Sequence, residues 1–171
     1  GDGKFGLTQR GRFQVRATPT KVFAAETPEH SSSEFLIRRA RLSLQGHVFN
    51  KDWQYALQFG FANLDTESDL RLPLRDAYIT STAVRDLSFR FGQMKVPFDR
   101  QRVTSSSALQ MVDRSVVVSE LSLDRDVGFY LFSDNFLGLG QRLRYQAGIF
   151  GGDGRNRTSD APGILWVGRL Q

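Results

Sequence analysis

The chain contains no cysteine, only two histidines, His30 and His47, and only four lysines, Lys4, Lys21, Lys51 and Lys95, among its 171 residues. Without cysteine there is no disulfide framework, no thiolate nucleophile and no thiolate-ligated metal. His30 and His47 have no second ligand at metal-binding spacing, so they read as solvated or cavity-lining polar residues. Long apolar runs are missing too. No stretch approaches the about 18 consecutive apolar residues of a membrane-crossing helix, and the amino end has no apolar signal-peptide core, so a helical membrane protein is excluded. A transmembrane β-barrel is not, because its strands show only alternating segments of about ten residues. The mean hydropathy of -0.35 is neutral on that point.

Arginine is what the chain has in excess. Lys+Arg number 23 against 18 Asp+Glu, for a net charge of +5 and a pI near 10.0. The planar guanidinium fork suits bidentate binding of phosphate or carboxylate, which points to an anionic partner, with a solvated basic surface as the plain alternative. A hydrophobic content of 40% is enough for a folded domain.

The arginines follow a period of two. In "EFLIRRARLSLQGHVF" (34–49), Arg39, Arg41, Ser43, Gln45 and His47 share one strand face, and Ala40, Leu42, Leu44, Gly46 and Val48 share the other. In "KFGLTQRGRFQVRAT" (4–18), Phe5, Leu7, Phe13, Val15 and Ala17 oppose Thr8, Arg10, Arg12, Gln14 and Arg16. "DWQYALQFGFAN" sets Trp53, Tyr55, Leu57, Phe59 and Phe61 against small or polar residues. "RDLSFRFG" sets Leu87, Phe89 and Phe91 against Arg90, and "QRLRYQAGIF" sets Leu143, Tyr145 and Ile149 against Arg142 and Arg144. Three further segments, near 74–81, 126–133 and 163–171, have strand composition but poorly separated faces.

Connections alternate in length. Short ones fall at Asn50-Lys51, around Ala83 and at "DNFLGLG"; long ones are "PTKVFAAETPEHSSS", "LDTESDLR", 97–125 and "GGDGRNRTSDAPG". Outer-membrane barrels are built this way, with short turns at one rim and long loops at the other. If the aromatic face meets lipid, Arg12, Arg16, Arg39, Arg41, Arg90, Arg142 and Arg144 enter one lumen and create a positive potential that attracts anions. For any one arginine the alternative is an ion pair with Asp or Glu across the lumen or the sheet.

The runs "FLIRRARLSLQGHVFNKDWQYALQFGFAN", "LRDAYIT", "LSFRFGQMKVPFDRQRVTSSSALQMVDRSVVVSEL", "RDVGFYLF" and "YQAGIFGGDG" resemble, in that order, the phosphate-selective porins of the O and P type. The most specific part is "GQMKVPF" (92–98) continuing into the Ser-rich segment and Arg114-Ser115. The resemblance implies an all-β, antiparallel transmembrane barrel, with residues 1–171 as one domain supplying about eight strands of a barrel of about sixteen. It looks like an amino-terminal portion. It further implies a homotrimer in the outer membrane of Gram-negative bacteria, without cofactor or catalysis. Such a channel passes phosphate, polyphosphate or other small anions along an arginine ladder.

Carried over by position, Arg38, Arg39 and Arg41 match the family's early basic stretch, and Lys95 sits in the "GQxKxPF" run. Arg102 and Arg114 lie in the segment resembling an inward-folded third loop, expected over 97–125, with packing over the rim as the alternative.

Other motifs point elsewhere only weakly. "GGDGRN" reads as a turn before it reads as a phosphate or calcium nest, and Asp124 and Asp126 around Arg125 read as an ion pair before an acid/base site. Two further readings stay open: a soluble basic β-barrel binding nucleic acid or anions, and a non-conducting structural outer-membrane protein. The first would place arginines and aromatics on one face, whereas here they take opposite faces, so no nucleic-acid partner is expected.

Overall fold

In the computed structural model, which describes residues 3–22, 30–65, 72–105, 108, 115–157 and 163–171, the chain is an antiparallel meander. Its strands are β1 (Phe5–Val22), β2 (His30–Val48), β3 (Trp53–Gly60), β4 (Leu74–Ser81), β5 (Ser88–Lys95), β6 (Arg125–Ser133), β7 (Tyr145–Phe150) and β8 (Leu165–Leu170). Each pairs with its neighbour in sequence, in the order β1 to β8, and the sheet is not closed by a β1–β8 pairing. Among the described residues, helix is confined to α1 (Arg100–Val103), α2 (Val116–Leu121) and two 3-10 turns, at Asn63–Asp65 and Phe136–Gly138. None of these is long and apolar enough to cross a membrane, which says nothing of crossing by strands.

All eight expected strands are present, including the three with poorly separated faces. The first pair is longer than the alternation indicates. Residues expected in the first long loop are paired instead, Pro19 with Ser33 and Val22 with His30. Because β1 borders only β2, Pro19 interrupts no second ladder. Connections 49–52 and 82–87 are short and lie at the same rim as 134–144, which runs longer than expected because β7 begins only at Tyr145.

The two faces differ as alternation demands. On the outer face Phe5, Leu7, Phe13 and Val15 of β1 are exposed, Phe13 by 68%, as are Ile79, Phe91, Val127, Ile149 and Trp166 on later strands. Trp53, Phe89 and Phe129 form a cross-strand aromatic row with ring centroids 5.9 Å apart at each step. So much contiguous apolar surface is far more than a soluble monomer leaves in water. The buried cluster is small and belongs to the later strands: Met94, Val96, Tyr130, Phe132, Phe150 and Val167. Gly92 in β5 has φ +125°, and a Cβ there would stand 2.2 Å from the Ala77 carbonyl oxygen, so this point of the β4–β5 ladder needs glycine.

Phe91, 59% exposed in the middle of β5, tests the outward assignment. Phe91→Arg is expected to cost about 2 to 4 kcal/mol where the side chain meets the lipid midplane, and to deplete the heat-resistant folded band in membrane fractions. Parental amounts of folded barrel would place Phe91 away from lipid.

Candidate functional site

Two β-bulges decide what the inner face carries. Along β1 and β2, Gln14 pairs with Arg39 but Val15 pairs with Ile37, leaving Arg38 as the extra residue. Along β3 and β4, Gln58 pairs with Asp76 but Phe59 pairs with Leu74, leaving Arg75 as the extra residue. A bulge re-aims one side chain and shifts the phase of those beyond it. Phe35 and Ile37 share odd numbering with Arg39 yet are exposed, whereas Arg38 and Arg39 line the same cavity. Each bulge thus delivers one more arginine inward and keeps apolar residues out.

The inner surface encloses a cavity of about 790 Å³ that draws its lining from β1 through β7. Ten arginines and one lysine line it against two aspartates, Asp76 and Asp124. On the β1–β2 side, Gln14 Oε1 accepts from Arg39 Nη1 at 2.6 Å and from Arg12 Nη2 at 3.2 Å, holding two like charges by a neutral acceptor. Opposite, Arg90 donates to Thr80 Oγ1 at 2.8 Å and lies over the Tyr78 ring at 4.3 Å and the Tyr130 ring at 5.6 Å. The inner face therefore joins an arginine to aromatic rings, a departure from the expected strict separation. Stacking keeps the guanidinium flat while its edge remains available for hydrogen bonds.

Carboxylates enter at three points. Arg125 grips Asp76 by a fork, Nε to Oδ1 at 2.9 Å and Nη2 to Oδ2 at 3.0 Å. Asp124 Oδ1 takes Arg125 Nη1 at 3.1 Å and Arg102 Nη2 at 2.8 Å. Asp65, at the end of the Asn63–Asp65 turn and almost wholly buried, pairs with Arg41 and Arg75. Burial raises the pKa of Asp124, but the charges of Arg125 and Arg102 outweigh it and hold the carboxyl below its ordinary value.

Of the residues expected from the sequence, Arg12, Arg38, Arg39, Arg41, Arg90, Lys95 and Arg102 line this cavity. Lys95 Nζ donates to the carbonyls of Val103 and Thr104 at 3.2 and 3.0 Å, which seats α1 against the sheet. Arg16 lies on the same face of β1, half-buried but outside the cavity lining. Arg142 and Arg144 are not brought in. Positive φ angles at Leu137 and Gln141 carry the chain through an extended turn, and both arginines stand exposed at the rim before β7 begins. Arg114 lies outside the described residues.

Sequence reasoning put Arg10 on the polar face of β1 without naming it a lumen residue, and missed Arg75, Arg125 and Arg155 as cavity residues and Asp65 as a charge partner. "GGDGRN" is a turn, fastened where Gly152 N donates to Asp126 Oδ2 at 2.6 Å, and it turns Arg155 into the cavity. No periodic signal marks a side chain carried in by a turn.

An antiparallel meander with an apolar outer face and an arginine-rich inner cavity is the wall of a membrane β-barrel of the porin class. The chain belongs to the phosphate-selective porin O and P family, whose model matches residues 9–162. No curated protein matches the chain. The family is one of channels and not of enzymes.

Two expectations follow from the ion pairs. Asp76→Asn leaves Arg125, only 6% exposed, without its bidentate partner. Loss of one partner of a buried pair costs about 3 kcal/mol or more, so the denaturation midpoint in detergent is expected to fall clearly; an unchanged midpoint would show that the fork contributes nothing. Because the Asp124 pKa is lowered by folding, its stabilisation is complete above the ordinary pKa of 3.8 and fades as pH drops from there through the folded value. The stability difference between the parent and Asp124→Asn is expected to be constant at neutral and mildly acidic pH and to vanish in strong acid. A difference that instead grows on acidification contradicts the sign.

Proposed function

We propose that these strands form part of the wall of an anion-selective porin of the Gram-negative outer membrane, passing phosphate, polyphosphate or other small anions by passive diffusion. One observation carries the reading: the excess of ten arginines and a lysine over two aspartates on a single cavity. Like charges focused by low-dielectric walls concentrate anions and repel cations. Family membership supports phosphate as the preferred anion and a homotrimer as the assembly. The outer face supports lipid as its surroundings, since a soluble nucleic-acid-binding barrel has no use for exposed Phe13, Phe35 and Trp166.

Unpaired edges at β1 and β8 support further strands, because open sheet edges do not occur within hydrocarbon. The described parts of the 97–125 segment, 97–105, 108 and 115–125, belong, on this reading, inside the lumen, while 106–107 and 109–114 lie outside the described residues. Arg102, Val103 and Ser105 of the segment line the same cavity as Arg39, and Lys95 and Asp124 fasten it from two sides. A loop held against the basic wall narrows the aqueous path at its most positive stretch.

The reading is tested by reversal potentials across a planar bilayer under a salt gradient. The parent is expected on the anion side, and Arg12→Gln with Arg39→Gln is expected to shift the potential toward cations. An unchanged potential would place both side chains off the permeation path.

A further inference from the structure

Gln93 shares the parity of the outward residues of β5 but not their exposure. Phe91, two positions earlier, is 59% exposed, whereas Gln93 is 5% exposed. Gly92 between them takes φ +125°, outside strand values, and breaks the alternation. The β4–β5 ladder then ends at the Ala77–Gln93 pair. Beyond it the Gln93 side chain takes over from the main chain: Nε2 donates to the Arg75 carbonyl at 3.0 Å and to the Leu74 carbonyl at 3.2 Å. Both carbonyls belong to the β4 bulge, where the regular ladder is disrupted.

A second element closes on the same point. Asn156 N donates to Gln93 Oε1 and Asn156 Nδ2 to the Leu74 carbonyl, both at 2.9 Å. Asn156 lies in the turn after β7 at φ 53°, a conformation that asparagine takes more readily than most residues. At the other end of that turn, Gly151 N donates to the Val127 carbonyl at 3.0 Å and Gly152 N to Asp126 Oδ2 at 2.6 Å. The turn is therefore fastened to β6 and to β5, and Arg155 is held between the two fastenings.

Two lumen arginines issue from this clasp. Arg75 is the extra residue of the bulge, and Arg155 immediately precedes Asn156. Both are buried and both line the cavity, whereas Gln93 and Asn156 stand behind its lining. The primary amide suits this position: its two N–H groups serve two carbonyls and its oxygen accepts from a third group, all from one plane. Methionine, of similar length, could serve neither carbonyl.

We propose that Gln93 is a positioning residue for anion passage. From behind the wall it ties the β4 bulge to the turn after β7, and so sets where Arg75 and Arg155 stand in the lumen. It acts through those two arginines and touches no permeating ion. The inference rests on the anion-channel reading above and deepens it, by making part of the selectivity depend on a neutral side chain outside the permeation path.

The test is a mutant cycle on reversal potentials in the reconstituted full-length porin under a potassium chloride gradient. Gln93→Met keeps the length of the side chain and removes its hydrogen bonds, and is expected to lower the anion-to-cation permeability ratio at least about twofold. In a background of Arg75→Gln with Arg155→Gln, the arginines it positions are gone, and Gln93→Met is expected to change the ratio no further. In an Arg39→Gln background, which leaves the clasp in place, it is expected to keep its full effect. A general loss of packing would act alike in both backgrounds. Equal effects in the two backgrounds, or no effect on the parental ratio, overturn the inference and leave the channel reading intact. A parental reversal potential on the cation side overturns the channel reading and the inference together. If Gln93→Met does not assemble, Asn156→Gly, which suits the positive φ and removes the donor to Leu74, runs the same cycle and is read by the same outcomes.

Discussion

A peptide group without a hydrogen-bond partner costs several kcal/mol in hydrocarbon, and this one constraint shapes everything else about the chain. It forces the backbone into a continuous ladder, here eight antiparallel strands each paired to the next. Side chains then alternate between two solvents, except at the two bulges. The outward set can be as apolar as Phe13 and Trp166 because lipid covers it, and the inward set can be as charged as Arg39 and Arg41 because water and counter-charges meet it. In a soluble sheet of this size the apolar face would pack into a core. Here the buried cluster amounts to a few residues around Tyr130 and Phe150.

Alternation also limits how many charges a wall can hold, since only every second residue faces the lumen. The bulges at Arg38 and Arg75 relax that limit locally, placing Arg38 beside Arg39 and Arg75 beside Asp76 on the inner side. Concentrating cations in this way raises a repulsion that must be offset. Two of the offsetting carboxylates come from outside the strands, Asp65 from a connection and Asp124 from the residue before β6, and the third, Asp76, lies in β4 beside the bulge. Gln14 does the same between Arg12 and Arg39 without cancelling charge. The cavity stays strongly basic while its individual arginines are held in fixed orientations.

Much of this was legible in the residues. Period-two patterning located β1, β2, β3 and β5 because their faces differ sharply, and the order of short and long connections identified a barrel-type meander. The Arg-rich face and the family resemblance followed from the same runs. What stayed hidden has physical causes. A bulge changes the phase mid-strand, so Phe35 and Ile37 carry the wrong parity for the apolar face, and "LRDAYITS" shows no clean separation although Ile79 is outside and Tyr78 inside. Strand β6 blurs because its inner face holds Tyr130 and Phe132 in an apolar cluster. Arg142 and Arg144 extend the alternation of β7 on paper, but Arg142 lies in the preceding turn, and Arg144, whose backbone still pairs with Gln171, stands exposed at the rim. Arg155 and Asp65 sit in connections, where no periodicity assigns a face.

The absence of native cysteine makes single-cysteine labelling of β2 the most direct measurement of the central claim, that an apolar wall carries a water-accessible arginine face with a bulge at Arg38. Cysteine is placed singly at Ile37, Arg38, Arg39 and Ala40 in membrane-embedded porin and exposed to a charged, membrane-impermeant thiol reagent. The account predicts that positions 38 and 39 both react and that 37 and 40 are shielded by lipid. Reaction at 37 and 39 with protection at 38 and 40 would show unbroken alternation and contradict it.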